Sequence, residues 1–565
     1  MEIEVKGHSG CQIDVVNEVK DIYVYKSTKD PKYLKRLVLQ AEKQRLASEV
    51  EYQHIRVPKI FNIKKTAESV VVKMQYVYSK NFMEFFEQAG FEQIDYLIGA
   101  LEYFVEYEIS QSKLQTVSAN VFQNKFAEIK GKCEKNPLYQ NDRSISNILM
   151  HSEQVFKSLK DMLIPVGLCH GDLTFSNILF NGNNYYLIDF LDSFIETPLQ
   201  DIVKLRQDTR YRWSQLMYKK KYDAVRLRIV LNKIDDEIDR YFRNKYVWYS
   251  SYYNVMQLMN ILRILPYAHE KNVIAFLKET LEDILYDICK KENFGIGNNA
   301  SNGSAGVELN NVSKVESPNT RFSKPRTLIV PVAADKLEYE SGLPYVFGLD
   351  KDGVIICIKS IMGLDLENFD NIYFTILRKH DERFFVSESL KLQFKHLGIK
   401  NAHVVVLDEP TKEQAETICR TIEQKQIRGG IFIKDADSFF HTNINYGNAI
   451  ALFPIEQLDV LTPKDKSYVA IDDMYYLTNI IEKKVVGHYI SAGGYAIYDA
   501  ETFLYYYRRL RPYGRIYLSH IIYAMLLDKI TFRPMIVEEY KDWGTIKDFK
   551  RYELSTFSVN SLPML

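Results

Sequence analysis

Paired cysteines, a bias toward either charge and long apolar runs are all missing from this sequence. The six cysteines (Cys11, Cys133, Cys169, Cys289, Cys357 and Cys419) are scattered, with no CxxC pair and no Cys/His spacing of a metal site. That pattern argues against a disulfide framework and a zinc centre. It fits free thiols in a reducing cytoplasm, which is the expected location. Lysine plus arginine and aspartate plus glutamate are equal at 73 each, so no global field draws the chain to nucleic acid or an anionic bilayer. No uninterrupted apolar stretch is long enough to span a membrane. The start, Met1-Glu2-Ile3-Glu4-Val5-Lys6, lacks the charged-then-apolar layout of a signal peptide. Neither nucleic-acid binding nor membrane insertion is therefore expected. No internal repeat of fixed period is visible.

What is present is ordinary globular composition, 46% hydrophobic and 26% charged, in a chain of 565 residues that exceeds a single core. A stretch rich in Gly, Asn, Ser and Pro, residues 294–325, buries too little apolar surface to order itself and predicts a flexible tether. Before it, strand-like runs cover Glu2 to Lys6, Gln12 to Val16, Asp21 to Lys26, Lys59 to Ile63 and Ser69 to Tyr78. A helix is expected from Pro31 to Ser48. From Asn81 the apolar spacing turns mostly helical, interrupted by two short strands near Cys169 and Tyr185 to Asp189. The predicted organisation is a β-rich lobe at 1–80, a helical lobe at 81–293, the tether at 294–325 and a last domain at 326–565. In that last domain Leu328 to Val332, Asn371 to Leu377, His403 to Leu407 and Gly430 to Ile433 read as buried strands. Helices at Ser387 to Leu397 and Lys412 to Gln426 separate them, which predicts a largely parallel, helix-covered sheet.

The most telling stretch is His170-Gly171-Asp172-Leu173-Thr174-Phe175-Ser176-Asn177, followed by Leu187-Ile188-Asp189-Phe190. Phosphoryl transfer from ATP requires a carboxylate that takes the proton of the acceptor hydroxyl, then an amide and a second carboxylate that hold magnesium. Asp172, Asn177 and Asp189 supply these in order: Asp172 as base, Asn177 and Asp189 as oxygen ligands for Mg2+. His170 is expected to brace the loop, and Asp201, at the start of a helix, to cap it. Upstream, Gly7, Ser9 and Gly10 lie in a short loop that could fold over nucleotide phosphates, with an ordinary hairpin turn as the alternative. Lys26 ends a strand and is placed to reach the α- and β-phosphates, and Glu42 on the following helix could hold it by an ion pair. Val71 to Val77 suits a hinge whose backbone reads the adenine edge.

These residues make the first 293 or so positions resemble the aminoglycoside phosphotransferase and choline/ethanolamine kinase family. The resemblance implies an α+β, kinase-like two-lobed domain that uses ATP and Mg2+ to phosphorylate a hydroxyl of a small alcohol or sugar. Phe190 is followed by Leu191 where protein kinases carry glycine, and no long activation segment follows. Trp213, Trp248, Tyr249, Tyr252 and Tyr253 fall where the family frames its acceptor. They could cage a quaternary ammonium, with core packing as the competing reading. Arg263 could bind an anionic or sugar substrate instead, or form a surface salt bridge.

From about Arg326 the chain resembles nucleotidyltransferases that activate sugar phosphates or phosphocholine, which implies an α/β, Rossmann-like mixed sheet. The matching segments are Leu328 to Ala334, Glu409-Pro410-Thr411 to Ala415, Ile433 to Asp437, Ile481-Glu482-Lys483, Gly493-Gly494-Tyr495 and Asp542 to Thr545. By that resemblance Asp437 and Asp542 bind the metal, with Asp435 as alternative to the first, and Lys483 contacts the sugar or phosphate. The loop from Ala333 to Pro344 departs from the family: its phosphate-cradling glycines are missing, Asp335, Glu338 and Glu340 add negative charge, and Lys336 is its one cation. A nucleoside triphosphate is expected as ligand of the first half; for the second, nucleotidyl transfer competes with a nonreacting binding or regulatory domain or one handling a different ligand, and a scaffold in which both halves bind without turnover is the further alternative. A kinase fused to such a domain suits consecutive activation steps in making surface-glycan precursors.

Overall fold

The computed structural model describes residues 11–18, 21–295, 326–333, 342–444, 447–458, 466–544 and 550–551. Two compact units emerge: one comprises Met1–Glu87, Gln93–Asp223 and Val230–Ala305, the other Gly306–Leu565 with the short stretches Gln88–Glu92 and Ala224–Ile229. Composition carries no mark of those two stretches. Of the tether 294–325, the first residues complete the helix Lys271–Gly295 and the remainder lies outside the described residues. Among the described residues no helix is long and apolar enough to cross a membrane.

The first unit opens with an antiparallel sheet of β1 (Gln12–Glu18), β2 (Asp21–Thr28), β3 (Ile60–Lys65) and β4 (Val70–Gln75), in the order β1-β2-β4-β3. Helix α1 (Pro31–Ser48) starts where expected, with Pro31 in its first turn and the Asp30 side chain accepting from the Lys32 amide. Its Leu37 and Ala41, buried at helical spacing, pack with Val70 and Val72 of β4. The expected strand Glu2 to Lys6 lies outside the described residues. In the helical part an antiparallel pair, Lys113–Val117 with Met162–Val166, had no counterpart in the periodicity of the first segment; the strand placed near Cys169 ends at Val166, leaving Cys169 in a loop. The hairpin of β5 (Ile178–Asn181) and β6 (Asn184–Leu187) sets Asn177 before its first strand and Asp189 beyond its second. Helices α2 (Pro198–Thr209) and α3 (Val247–Leu262) pack against each other and against the strand Met162–Val166.

In the second unit β7 (Thr327–Pro331), β8 (Asn371–Leu377), β9 (Ala402–Leu407) and β10 (Ile431–Lys434) form the expected parallel run, ordered β9-β8-β7-β10. A short strand, β11 (Ser438–His441), follows β10. Beyond β10 the sheet is not parallel. β13 (Tyr489–Ile497) runs antiparallel to both β10 and β12 (Ala449–Pro454), and β12 pairs in parallel with β14 (Arg533–Ile536). The sheet is therefore mixed, because its later strands return through hairpin excursions such as Ser467–Ile471 with Leu477–Glu482 rather than through helical crossovers. β11 pairs with β15 (Glu538–Asp542) in a separate ribbon.

Where β13 crosses the core, Gly494 is pinned. A Cβ there would lie 2.7 Å from the Phe440 ring, 2.9 Å from the Ala451 methyl and 3.1 Å from the Phe432 ring. Gly494→Val is expected to destabilise the second unit by about 1–3 kcal/mol, read as a lowered denaturant midpoint of the full-length protein; an unchanged midpoint contradicts this packing.

Candidate functional site

The loop from His170 to Asn177 is held from inside. The Asp201 carboxylate accepts the His170 N–H (2.5 Å) and the Gly171 N–H (2.7 Å), and Asp208 accepts the Phe175 N–H (2.7 Å). Asp201 is therefore a buried strut; the capping expected of it falls to Thr197, whose side chain accepts from the Leu199 amide. Burial pushes both Asp201 and Asp208 up to about 6. Burial, and then the adjacent Asp201, drive Glu108 well above the carboxylate range, so its protonated carboxyl can share a hydrogen bond with Asp201. His170 braces the loop as expected. Its Nδ1 accepts the Asp172 N–H at 3.2 Å and its Nε2 lies 2.9 Å from the Ile188 carbonyl, so Nε2 carries the proton. Burial lowers His170 to about 4, keeping the ring neutral. Gly171 adopts φ +89, and a Cβ there would stand 2.1 Å from the Leu191 carbonyl oxygen.

This frame brings Asp172, Asn177, Asp189 and Lys26 together. The Asn177 amide nitrogen donates to the Asp172 carbonyl (2.8 Å) and to its Oδ2 (3.0 Å), which leaves the amide oxygen available as an acceptor. Lys204 of α2, which sequence reasoning missed, stands 3.1 Å from Asp172 Oδ1. Burial pushes the Asp172 carboxyl up, but Lys204, His170 and Asn177 outweigh it and hold the group below its ordinary value. Buried Lys26 bridges from β2 to Asp189 Oδ1 at 2.6 Å. Asp189 sits at φ +61, a left-handed conformation that costs a non-glycine residue energy and recurs at functional sites. Among the described residues no group of three His, Cys, Asp or Glu could hold a metal. The donor set fits magnesium nonetheless, since that ion takes one or two protein oxygens and completes its shell with phosphate and water.

Glu42 is the correction. It pairs with Arg45, three residues on, at 2.8 Å, and not with Lys26. The buried face of α1 runs through Leu37, Gln40, Ala41, Gln44 and Ala47, so the carboxylate at 42 points toward solvent. Its neighbour Lys43 faces inward, donating to Glu196 (2.6 Å) and the Leu191 carbonyl (2.7 Å). Gly7, Ser9 and Gly10 lie outside the described residues.

The aromatic cage is also corrected in part. Tyr249 and Tyr253 are fully buried around Arg206, which bonds the Tyr249 hydroxyl at 2.8 Å and lies 4.5 Å from the Tyr253 ring centre. Arg206 is also clamped by Asp235 (2.9 and 2.7 Å) and Asp239 (2.5 Å), so the cation these rings meet is internal.

In the second unit the pairing of β11 with β15 sets Ser438 opposite Asp542, and the Trp543 N–H donates to the Asp437 carbonyl at 2.8 Å. Asp437 and Asp542 are thus neighbours. Tyr345 donates to Asp437 Oδ2 (3.3 Å), while Lys466, another residue missed in the sequence, pairs with Asp542 and donates to the Tyr540 oxygen at 3.2 Å. Burial, then the adjacent Asp437, raise Asp435 to about 6; burial lowers Lys434, beneath them, to about 8. Exposed Lys483 joins Lys466 only through its backbone, and its ammonium lies over the Tyr517 ring at 5.7 Å. The atypical loop residues 334–341, Asp335, Lys336, Glu338 and Glu340 included, lie outside the described residues.

Residues 142–227, which contain Asp172, Asn177, Asp189 and the bracing helix α2, match the family model APH, phosphotransferase enzyme family. Comparison with curated proteins finds no match. Among solved structures, a nucleoside-diphosphate-sugar pyrophosphorylase from Vibrio cholerae RC9 is 15% identical, covering 40% of this chain and 99% of its own at a TM-score of 0.35. An inositol-1-phosphate CTP transferase from T. maritima is 14% identical over 43% of this chain and 100% of its own, with a TM-score of 0.34. Aminoglycoside phosphotransferase APH(4)-Ia, as a thermostable mutant with ADP and hygromycin B, is 9% identical over 49% and 93%, with a TM-score of 0.32.

The pairing of Lys26 with Asp189 rather than with Glu42 yields a contrast. Lys26→Ala is expected to weaken binding of MgATP roughly 10- to 100-fold through loss of charge-assisted contacts, whereas Glu42→Ala leaves it unchanged. Calorimetric titration of both variants checks this, and equal losses would restore Glu42 to the site.

Proposed function

We propose that the first unit is an ATP-dependent phosphotransferase acting on a hydroxyl of a small alcohol or sugar. The observation that carries this is the convergence of Asp172, Asn177, Asp189 and Lys26 from three separate segments onto one place. Each Asp172 oxygen has one protein partner, Lys204 or Asn177, and so keeps a lone pair for an acceptor hydroxyl. Asp172 takes the hydroxyl proton as the oxygen attacks the γ-phosphorus. The bond from that phosphorus to the bridging oxygen breaks, and the electron pair stays on the departing ADP. Lys26 offsets charge on the phosphates. Asn177 and Asp189 would hold magnesium, which would supply neutralisation of phosphate charge.

The second unit is proposed as a divergent nucleotidyltransferase-like domain in which Asp437 and Asp542 would hold the metal. Its proposed role is to act on, or bind, the product of the first unit on the way to an activated surface-glycan precursor. Joining the two in one chain raises the local concentration of that product.

Asp172→Asn is expected to lower kcat about 10²- to 10⁴-fold with little effect on ATP affinity; unchanged turnover of an accepted substrate removes Asp172 as base. Pyrophosphate release, assayed with each of the four nucleoside triphosphates and the phosphorylated product, is expected with one of them and absent in Asp437→Asn. No release with any of the four assigns the second unit a binding role.

A further inference from the structure

We infer that the acceptor of the first unit is anionic, an alcohol or sugar carrying a carboxylate or phosphate that the guanidiniums of Arg263 and Arg36 receive. This rests on the phosphotransferase reading above and adds the class of substrate.

Arg263 closes the C-terminus of α3. Its guanidinium carbon lies 5.2 Å from the ring centre of Phe194, which belongs to the segment after Asp189 and packs edge-on against Phe122 at 5.6 Å. The side chain is half-buried, yet its guanidinium makes no hydrogen bond or ion pair among the described residues. None of its nitrogens is fully cut off from solvent, so the fork is accessible, and its planar shape matches a carboxylate or phosphate. Ser193, next to Phe194, donates to the Gly171 carbonyl at 3.3 Å, which sets the Arg263–Phe194 stack beside the Asp172 loop, and both Asp172 and Arg36 act electrostatically on Arg263.

The surrounding acids are already committed. Asp172 is held by Lys204 at 3.1 Å and Asn177 at 3.0 Å. Glu128, the other carboxylate in reach of Arg263, is held by Lys125 at 2.7 Å and Lys132 at 2.6 Å, and the Tyr267 hydroxyl in reach meets Lys132 at 3.3 Å. Arg36, exposed on α1 with its guanidinium 5.4 Å from the Tyr33 ring, likewise has no ion pair among the described residues. Beside the proton-accepting carboxylate there is thus an excess of cations. A quaternary ammonium would meet repulsion there, and Tyr249 and Tyr253, two of the rings that could have caged it, enclose Arg206. An anion would complete the pairing of both arginines and place a neighbouring hydroxyl at Asp172.

The test is steady-state phosphorylation by the full-length protein with MgATP over matched acceptors: glycerol, glycerate and glycerol phosphate; glucose, glucuronate and glucose phosphate; and choline. An anion-bearing member is expected to show the highest kcat/KM. For it, Arg263→Ala should raise KM roughly 10- to 100-fold while kcat changes little, with partial recovery in Arg263→Lys and a smaller rise in Arg36→Ala. Preference for a neutral acceptor or choline, or a KM unmoved in Arg263→Ala, overturns the inference and leaves the phosphotransferase reading intact. If no anionic acceptor is phosphorylated the inference also fails. MgATP binding that is lost in Asp189→Asn would then preserve the phosphotransferase reading, and absence of such binding would remove both.

Discussion

A polar stripe on one nearly buried helix organises the first site. Asp201, Lys204 and Asp208 of α2 are spaced three and four residues apart and therefore share a face. Asp201 takes two backbone amides at the start of the loop, Lys204 meets the carboxylate of Asp172, and Asp208 takes the Phe175 amide at its end. Buried backbone N–H groups need acceptors. Supplying them from a single rigid helix fixes the loop at both ends and at its middle. The energetic penalty falls on the struts, whose carboxyls burial pushes up to about 6, while Asp172 stays below its ordinary value beside Lys204.

With the loop fixed, the remaining geometry is set by close approaches. Leu191 donates its N–H to the His170 carbonyl at 2.9 Å, which brings the segment after Asp189 against Gly171 so tightly that no side chain fits there. The same closure requires the left-handed turn at Asp189 that turns its carboxylate to Lys26. Lys43 then ties α1 to Glu196 and the Leu191 carbonyl. A glutamate on this helix was the expected partner for Lys26. The helix instead offers a lysine to the opposite segment, and Lys26 relies on Asp189 alone among the described residues.

Much of this was legible because it is local. The order and spacing of Asp172, Asn177 and Asp189 survive in the sequence, as do α1 from Pro31 to Ser48 and strands such as Asn371–Leu377. What was not legible depends on which way a polar side chain faces. Asp201, Lys204 and Asp208 at helical spacing look like a solvated face, and only packing shows that the face is internal. Glu42 and Lys43 are adjacent, and the phase of α1 decides that the second turns inward. Tyr249 and Tyr253 were open to a ligand until Arg206, distant in sequence, filled the space between them. The antiparallel strands of the second unit were missed for a related reason: β13 is buried along nearly its whole length, so its sequence shows no alternation.

The two units answer one electrostatic problem in different ways. Carboxylates gathered in one place repel one another, and each unit offsets the charge with a lysine brought from another segment: Lys26 on Asp189, Lys466 on Asp542. In the first unit the other proposed ligand, Asn177, is a neutral amide, and the neighbouring Asp172 carboxylate is met by Lys204. In the second, Asp437 and Asp435 stand beside the pair, and a fully buried Lys434, bonded to the Asp435 carbonyl, the Ser438 carbonyl and its hydroxyl, carries the compensating charge from below. Burial lowers that lysine to about 8, and burial and the adjacent Asp437 raise Asp435 to about 6. A cation proposed for either site would have to compete with an ammonium already in place on its carboxylate, Lys26 on Asp189 in the first and Lys466 on Asp542 in the second.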